Sequence, residues 1–177
     1  MTGTTHVVVA VATFGVQHYF TGIDLHPWGA FMIVVGSLAP DIDGQGIIVR
    51  PGRWLGGLIG KRVASWLNYP ALAMSAAVEA AFGHRGLLHT PFFLGCLAVT
   101  AYVMQYEWLM FLSWGYATHI LGDLCTVAGI PLLGPFSWKR FRILGVRNGS
   151  FGERAVRMLV VLMAVLWAGR QVLAFAL

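Results

Sequence analysis

From Gly86 to Tyr106 the chain runs for 21 residues without an Asp, Glu, Lys or Arg. That length matches the roughly 20 apolar residues a helix needs to cross the hydrocarbon layer of a bilayer. Its apolar part is Pro91–Gln105, and four further apolar segments flank it: Val7–Gly22, Trp28–Ala39, Trp108–Leu124 and Ala155–Leu177. Only 11% of the 177 residues are charged and 58% are hydrophobic, too few charges to cover a soluble globule of this size. The expectation is an all-α fold: a polytopic membrane helix bundle of about five apolar segments, with residues 1–177 forming a single integral-membrane domain. A soluble enzyme, a disordered chain and a disulfide scaffold are argued against on the same grounds. Cys96 and Cys125 sit in apolar stretches without metal or redox spacing and read as small core residues. No Lys or Arg precedes the first apolar run, so that run is expected to be retained rather than cleaved as a signal peptide.

Between the apolar segments, Gly22–Pro27 reads as a turn, and Asp41–Arg53 as a Gly/Pro loop. From Trp54 to Leu67 apolar residues recur at helical spacing, with Arg53, Lys61 and Asn68 on the other face. That spacing predicts an interfacial amphipathic helix, although Gly56, Gly57 and Gly60 weaken it. Ala71–Phe82 is Ala-rich and helical in character, and Val127–Gly152 is a long loop. If the first four segments pair as hairpins, residues 41–90 and 125–154 share one side. Arg50, Arg53, Lys61, Arg62, Arg85, Lys139, Arg140, Arg142, Arg147, Arg154 and Arg157 then lie on or at that side, eleven of the twelve basic residues. The opposite turns carry Asp24 and Glu107. Basic loops stay cytoplasmic, so the bundle is expected to be multi-pass with this face in the cytoplasm. Here a net charge of +5 reflects topology rather than nucleic-acid binding. The Lys139–Arg142 cluster with Trp138 and Phe141 suits anionic lipid headgroups better than nucleic acid, and no nucleic-acid partner is expected.

The same topology gathers ligand-type side chains. His6, Asp41, Asp43, His84, His89, His119 and Asp123 fall at the basic-side ends of different segments. His119 and Asp123 are four apart and share a helix face. That pair suits a borderline or hard divalent cation, Zn²⁺ or Mn²⁺. Asp41 and Asp43 flank one residue after a proline, and carboxylates that close repel unless a cation or proton lies between them. His84 and His89 fit a turn that feeds a helix at Pro91. Any one of these alone reads as a helix cap or a hydrogen-bonded interfacial group. Ionisable groups at membrane depth are costly, and their convergence favours a metal site. There is no P-loop, since Arg62 follows Gly60 and Lys61, and no Gly-x-Ser-x-Gly elbow.

These residues also carry a family resemblance. MTGTTH at Met1–His6, GSLAPDID at Gly36–Asp43, HRGLLHT at His84–Thr90 and GYATHILGD at Gly115–Asp123 resemble motifs of the membrane-bound metal-dependent hydrolases. That family is also called the LexA-binding, inner-membrane-associated hydrolases. GIPLLGPFS at Gly129–Ser137 and GSFGE at Gly149–Glu153 follow in the same order. Two departures are a Gly at 83, where the family usually has Ser, and a Gly at 134, where an aromatic is common. The resemblance implies a bacterial inner-membrane protein with a metal-dependent hydrolase site similar to zinc-dependent phospholipase C. The LexA label concerns gene regulation and implies no DNA binding.

The combined reading is hydrolysis of a phosphoester, with a phospholipid as one candidate, by metal-activated water at the cytoplasmic face. One to two ions or more, Zn first and Mn as the alternative, would be held by the seven His and Asp residues. Asp123 or Asp41 would be the bridge. Arg85 would clamp a phosphate. Glu153 would be a general acid/base, a further ligand, or a first-turn carboxylate favoured by the helix dipole. Membrane lipids and a phosphoester or lipid substrate are the expected partners. The alternative is a non-enzymatic divalent-metal-binding membrane protein, a transporter or sensor.

Overall fold

The computed structural model describes residues 1–15, 22–43, 57–83 and 85–176. Among them are seven α-helices and no strand: α1 Gly3–Ala12, α2 Pro27–Leu38, α3 Lys61–Trp66, α4 Asn68–Phe82, α5 Pro91–Met104, α6 Glu107–Leu124 and α7 Phe151–Ala176. Short 3-10 turns at Ala39–Asp43 and Leu87–His89 follow α2 and precede α5. The fold is all-helical, as the apolar segments predict. No helix is long and apolar enough to cross a membrane, among the described residues.

Local chemistry sets the helix starts. His26 caps α2 by accepting from Gly29 N at 3.1 Å, and Pro27 occupies the first helical position, where its missing N–H costs nothing. Thr90 does the same for α5, accepting from Phe93 N at 3.1 Å ahead of Pro91. The amphipathic helix predicted over Trp54–Leu67 is interrupted where it is described. Gly60, at φ +83°, breaks the path between helical residues 57–59 and α3, which begins at Lys61. Residues 51–56 lie outside the described residues.

α6 is the hub, with α1, α2 and α5 packed against it. α2 and α6 approach backbone to backbone through two glycines. A Cβ on Gly36 would stand 2.1 Å from the Leu112 carbonyl oxygen, and one on Gly115 would stand 2.1 Å from that of Ile33. Small residues at a helix crossing permit such contact without a desolvation drive. Phe111 fills the next layer with Ala10 and Ile33, and Tyr116, Ile120 and Ile130 form a second layer.

The interior is polar. Among the described residues thirteen buried ones are polar or charged against ten apolar ones, while Trp28, Phe31, Val99, Tyr102, Val103, Met158 and Leu166 are exposed. Burial therefore cannot be inferred from an apolar neighbourhood in this chain. Cys96, read as a core residue, is exposed for this reason, and Cys125 is half-buried.

Candidate metal centre

Antiparallel packing brings six of the seven predicted ligands to one end of the bundle. His6 comes from the first turns of α1, Asp41 and Asp43 from the turn after α2, His89 from the turn before α5, and His119 and Asp123 from the last turns of α6. His84 lies outside the described residues. The opposite end is marked by His26 Nε2, 3.4 Å from Glu107 Oε1.

Four of the six converge. Each of Asp41, His89, His119 and Asp123 offers one ligand atom, and those atoms lie within 4.8 Å of one another. Asp41 Oδ1 is 3.7 Å from His89 Nε2 and 3.7 Å from His119 Nε2. Asp123 Oδ2 is 3.9 Å from His89 Nε2 and 3.8 Å from His119 Nε2. Ligands held about 2.0–2.1 Å from one ion stand about 3–4 Å apart, so the spacing suits a cation. The donor chemistry agrees. Among the described residues the buried His89 Nε2 and His119 Nε2 have no hydrogen-bond partner, an expensive arrangement unless an ion satisfies them.

The surrounding groups orient this quartet. His119 Nδ1 meets the Ser37 carbonyl oxygen at 2.7 Å. A carbonyl only accepts, so Nδ1 carries the proton and Nε2 presents its lone pair to the centre. Asp43 Oδ2 lies 3.5 Å from His89 Nδ1 and accepts from Arg85 N at 2.7 Å. The Tyr116 hydroxyl donates to the Leu88 carbonyl, tying α6 to the turn that holds His89. His6 stacks on His119 with ring centroids 3.8 Å apart, and its Nε2 is 3.3 Å from Asp123 Oδ1. The Met1 amine also reaches Asp123 Oδ1, at 2.5 Å. Asp123 therefore has His89, His119 and Arg85 on one oxygen and His6 and the amine on the other.

The charge balance of the centre favours added positive charge. Burial pushes the Asp41 carboxyl up, but the adjacent His89 and the nearby His119 and His6 imidazoles outweigh it and hold it below the ordinary carboxylate value. Burial pushes His89 down, yet Asp41, Asp43 and Asp123 outweigh it and raise its pKa. The carboxylates favour positive charge at this position, and a metal cation would supply it.

Arg85 and Glu153 occupy different places. Arg85 Nη2 is 3.1 Å from Asp123 Oδ2, at the edge of the quartet. Its backbone is left-handed at φ +50°, a conformation costing about 1–2 kcal/mol for a residue with a Cβ. Just before it, Gly83 sits at φ +74° and ψ 152°, a region essentially confined to glycine, which accounts for a glycine at that departure from the family pattern. Glu153 is 2% exposed and lies outside the quartet. It accepts from Thr2 N at 2.6 Å, Thr2 Oγ1 at 2.7 Å and Gly149 N at 2.5 Å. Ser150 Oγ accepts from Glu153 N as the N-cap of α7, and the Glu153 carboxylate reaches past that cap to Gly149 N and ties Thr2 to the start of α7. Of its three sequence readings, this geometry accounts for the first-turn carboxylate. Burial would raise its pKa, but these hydrogen bonds and one from Thr5 hold it down to about 2.

The sequence reading passed over the Ser37 carbonyl, since a backbone acceptor leaves no side-chain signature. It also passed over the stacking of His6 on His119.

The family model described as YdjM inner membrane protein matches residues 1–177. The chain belongs to this family. Inner membrane protein YdjM of Escherichia coli (strain K12) is 32% identical over 140 residues, covering 75% of this chain and 62% of the relative. The Shigella flexneri protein of the same name gives the same figures. This chain thus spans less than two thirds of the length of these two relatives. The uncharacterized protein YvsG of Bacillus subtilis (strain 168) is 30% identical over 162 residues, covering 88% of this chain and 87% of the relative. No solved structure matches the chain at a significant level. The family description and the YdjM names support a bacterial inner-membrane location. They state no reaction, so the hydrolase activity implied by the motif resemblance rests on the chemistry of the site.

Proposed function

We propose that this chain is a multi-pass inner-membrane, metal-dependent hydrolase that cleaves a phosphoester at the cytoplasmic face. The observation that carries the reading is the quartet Asp41, His89, His119 and Asp123, in which the buried His89 Nε2 and His119 Nε2 have no hydrogen-bond partner among the described residues. Two imidazoles and two carboxylates suit Zn²⁺, with Mn²⁺ as the alternative. A divalent cation, when bound, supplies an activated water and neutralises charge developing on a phosphoryl oxygen.

The chain's own residues do the rest. Ser37 fixes the tautomer of His119, and His6 braces the ring from behind. Asp43 holds both His89 and the backbone of Arg85. The Arg85 guanidinium, beside Asp123, is placed to receive a phosphate oxygen, a task suited to a planar cation. Asp41 is one-fifth exposed while its three partners are buried, so water and substrate reach the centre past it. Asp123, with partners on both oxygens, is the candidate bridge should a second ion bind.

The membrane reading is supported by the family and by the exposed apolar faces of α2, α5 and α7, which water would penalise and acyl chains would not. The basic loops that the hairpin reading of the sequence places on the side of the quartet support the cytoplasmic orientation.

The test is turnover. The purified chain in uncharged detergent, supplied with Zn²⁺ or Mn²⁺, is assayed on a bis-aryl phosphodiester, an aryl phosphomonoester and phosphatidylglycerol. The expected result is hydrolysis of at least one, abolished by chelation and lowered at least about 100-fold by Asp123→Asn. Tight metal binding without turnover on any of them would instead favour the metal sensor or transporter.

A further inference from the structure

Beside the metal centre lies a cavity of about 380 Å³ bounded by Phe82, Arg85, Gly86, Pro131, Trp138 and Arg140. The sequence brings these residues from two distant places: the turn between α4 and the 3-10 helix at His89, and the long loop after α6. Among the described residues no carboxylate lines the cavity, and two guanidinium side chains do. Such a wall repels cations and is suited to an anion.

Both arginines keep donors that the described residues leave unpaired. Arg85 gives Nη2 to Asp123, while its Nη1 is buried with no hydrogen-bond partner among the described residues. A buried, unpaired guanidinium nitrogen costs free energy unless something outside the chain satisfies it. In the basic run, Lys139 lies 5.9 Å over the Phe141 ring and Arg142 Nη1 donates to the Val127 carbonyl at 3.5 Å. All three basic residues of the run are exposed, but Arg140 is the one that lines the cavity, and no hydrogen bond or ion pair of its side chain occurs among the described residues. The run as a whole is therefore not equivalent, and one of its residues faces a defined space.

We propose that this cavity is an anion subsite in which Arg85 and Arg140 grip the phosphate group of the substrate, with Trp138 as its aromatic wall. The proposal deepens the hydrolase reading and rests on it for the word substrate. Arg85 belongs to both places: one nitrogen meets a candidate metal ligand and the same side chain lines the cavity. A phosphate held there stands directly beside the centre that would cleave it. The volume sits near the lower end for small-molecule pockets, so the subsite takes a phosphoryl headgroup and leaves acyl chains outside. Planar bidentate donors favour phosphate oxygens over a single-point anion such as chloride.

The experiment uses the full chain, stripped of metal, in uncharged detergent. Binding of inorganic phosphate is measured by calorimetry, and retention of phosphatidylglycerol against phosphatidylcholine by native mass spectrometry. Arg140→Gln is compared with Arg147→Gln, the same charge change at an exposed site outside the cavity. Thermal unfolding of both variants checks that each remains folded. Arg140→Gln should weaken phosphate binding about tenfold and Arg147→Gln less than twofold. Loss of phosphatidylglycerol retention in Arg140→Gln alone supports a lipid headgroup as the source. A response to inorganic phosphate without one to the lipid supports a soluble phosphoester. Equal binding by wild type and Arg140→Gln, or equal loss in both variants, overturns the subsite. Metal content after reconstitution separates the two readings. A metal-free chain with Arg140-dependent phosphate binding keeps the subsite and removes the hydrolase, and a metal-loaded chain indifferent to Arg140 does the reverse.

Discussion

At Glu153 a single side chain joins the first residues to the last helix. Both its oxygens accept hydrogen bonds, and burial leaves no water to replace a lost partner. Glu153→Ala should destabilise the protein by about 2 kcal/mol, the usual cost of breaking charged hydrogen bonds in a buried setting, read as a lowered denaturation midpoint in detergent. Its folded pKa, about 2, lies below the ordinary 4.5. The carboxylate therefore stabilises the fold in full above about pH 4.5, and that contribution fades as the pH falls through 4.5 towards 2. Glu153→Gln should flatten this part of the pH profile; an unchanged profile would remove the carboxylate from the account. His6 offers a different contrast. It stacks on His119 and touches Asp123 but lies outside the quartet. His6→Ala should keep one equivalent of metal while weakening its affinity 10- to 100-fold, as the loss of an orienting neighbour does. Complete loss of metal would make His6 a ligand.

At the scale of elements, the crossing of α2 and α6 sets the site, because Asp41 and Ser37 come from one partner and His119 and Asp123 from the other. Gly115→Ala inserts a methyl where a Cβ would stand 2.1 Å from a carbonyl oxygen. The helices must part, at a cost of about 1–3 kcal/mol. Thermal unfolding should shift downward and metal affinity should fall with it; a variant that unfolds like wild type would contradict the close crossing. Much of this layout was legible in the sequence. Pro27 and Pro91, each behind a capping residue, mark helix starts, and the ends of the apolar runs place His119 and Asp123 correctly on α6. The break at Gly60 was legible only in part: its glycine marked the helix as weak, but apolar spacing records which face is greasy and not whether the backbone continues. The role of Ser37 was hidden for the reason that its contact is a main-chain carbonyl. The reading of Cys96 failed because apolar surroundings signal burial only when the solvent is water.

For the whole molecule, an apolar exterior around a polar interior is the arrangement expected in lipid. The family description agrees, and the chain should stay in the membrane pellet after alkaline carbonate extraction. Release into the supernatant would contradict the integral reading. The same architecture explains why ionisable groups can gather where they do. Four helix ends meet at one pole and leave imidazoles and carboxylates facing each other around a shared space. That this space holds a metal ion is the central claim, and it can be measured directly. The chain is purified in detergent, reconstituted with Zn²⁺ or Mn²⁺, desalted, and its bound metal counted by inductively coupled plasma mass spectrometry beside a His119→Ala/Asp123→Ala double variant. The account predicts at least one equivalent in the wild type and none in the folded double variant. A wild type that takes up no metal, or a double variant that holds as much, would contradict it and leave the quartet as a polar cap on a helical bundle.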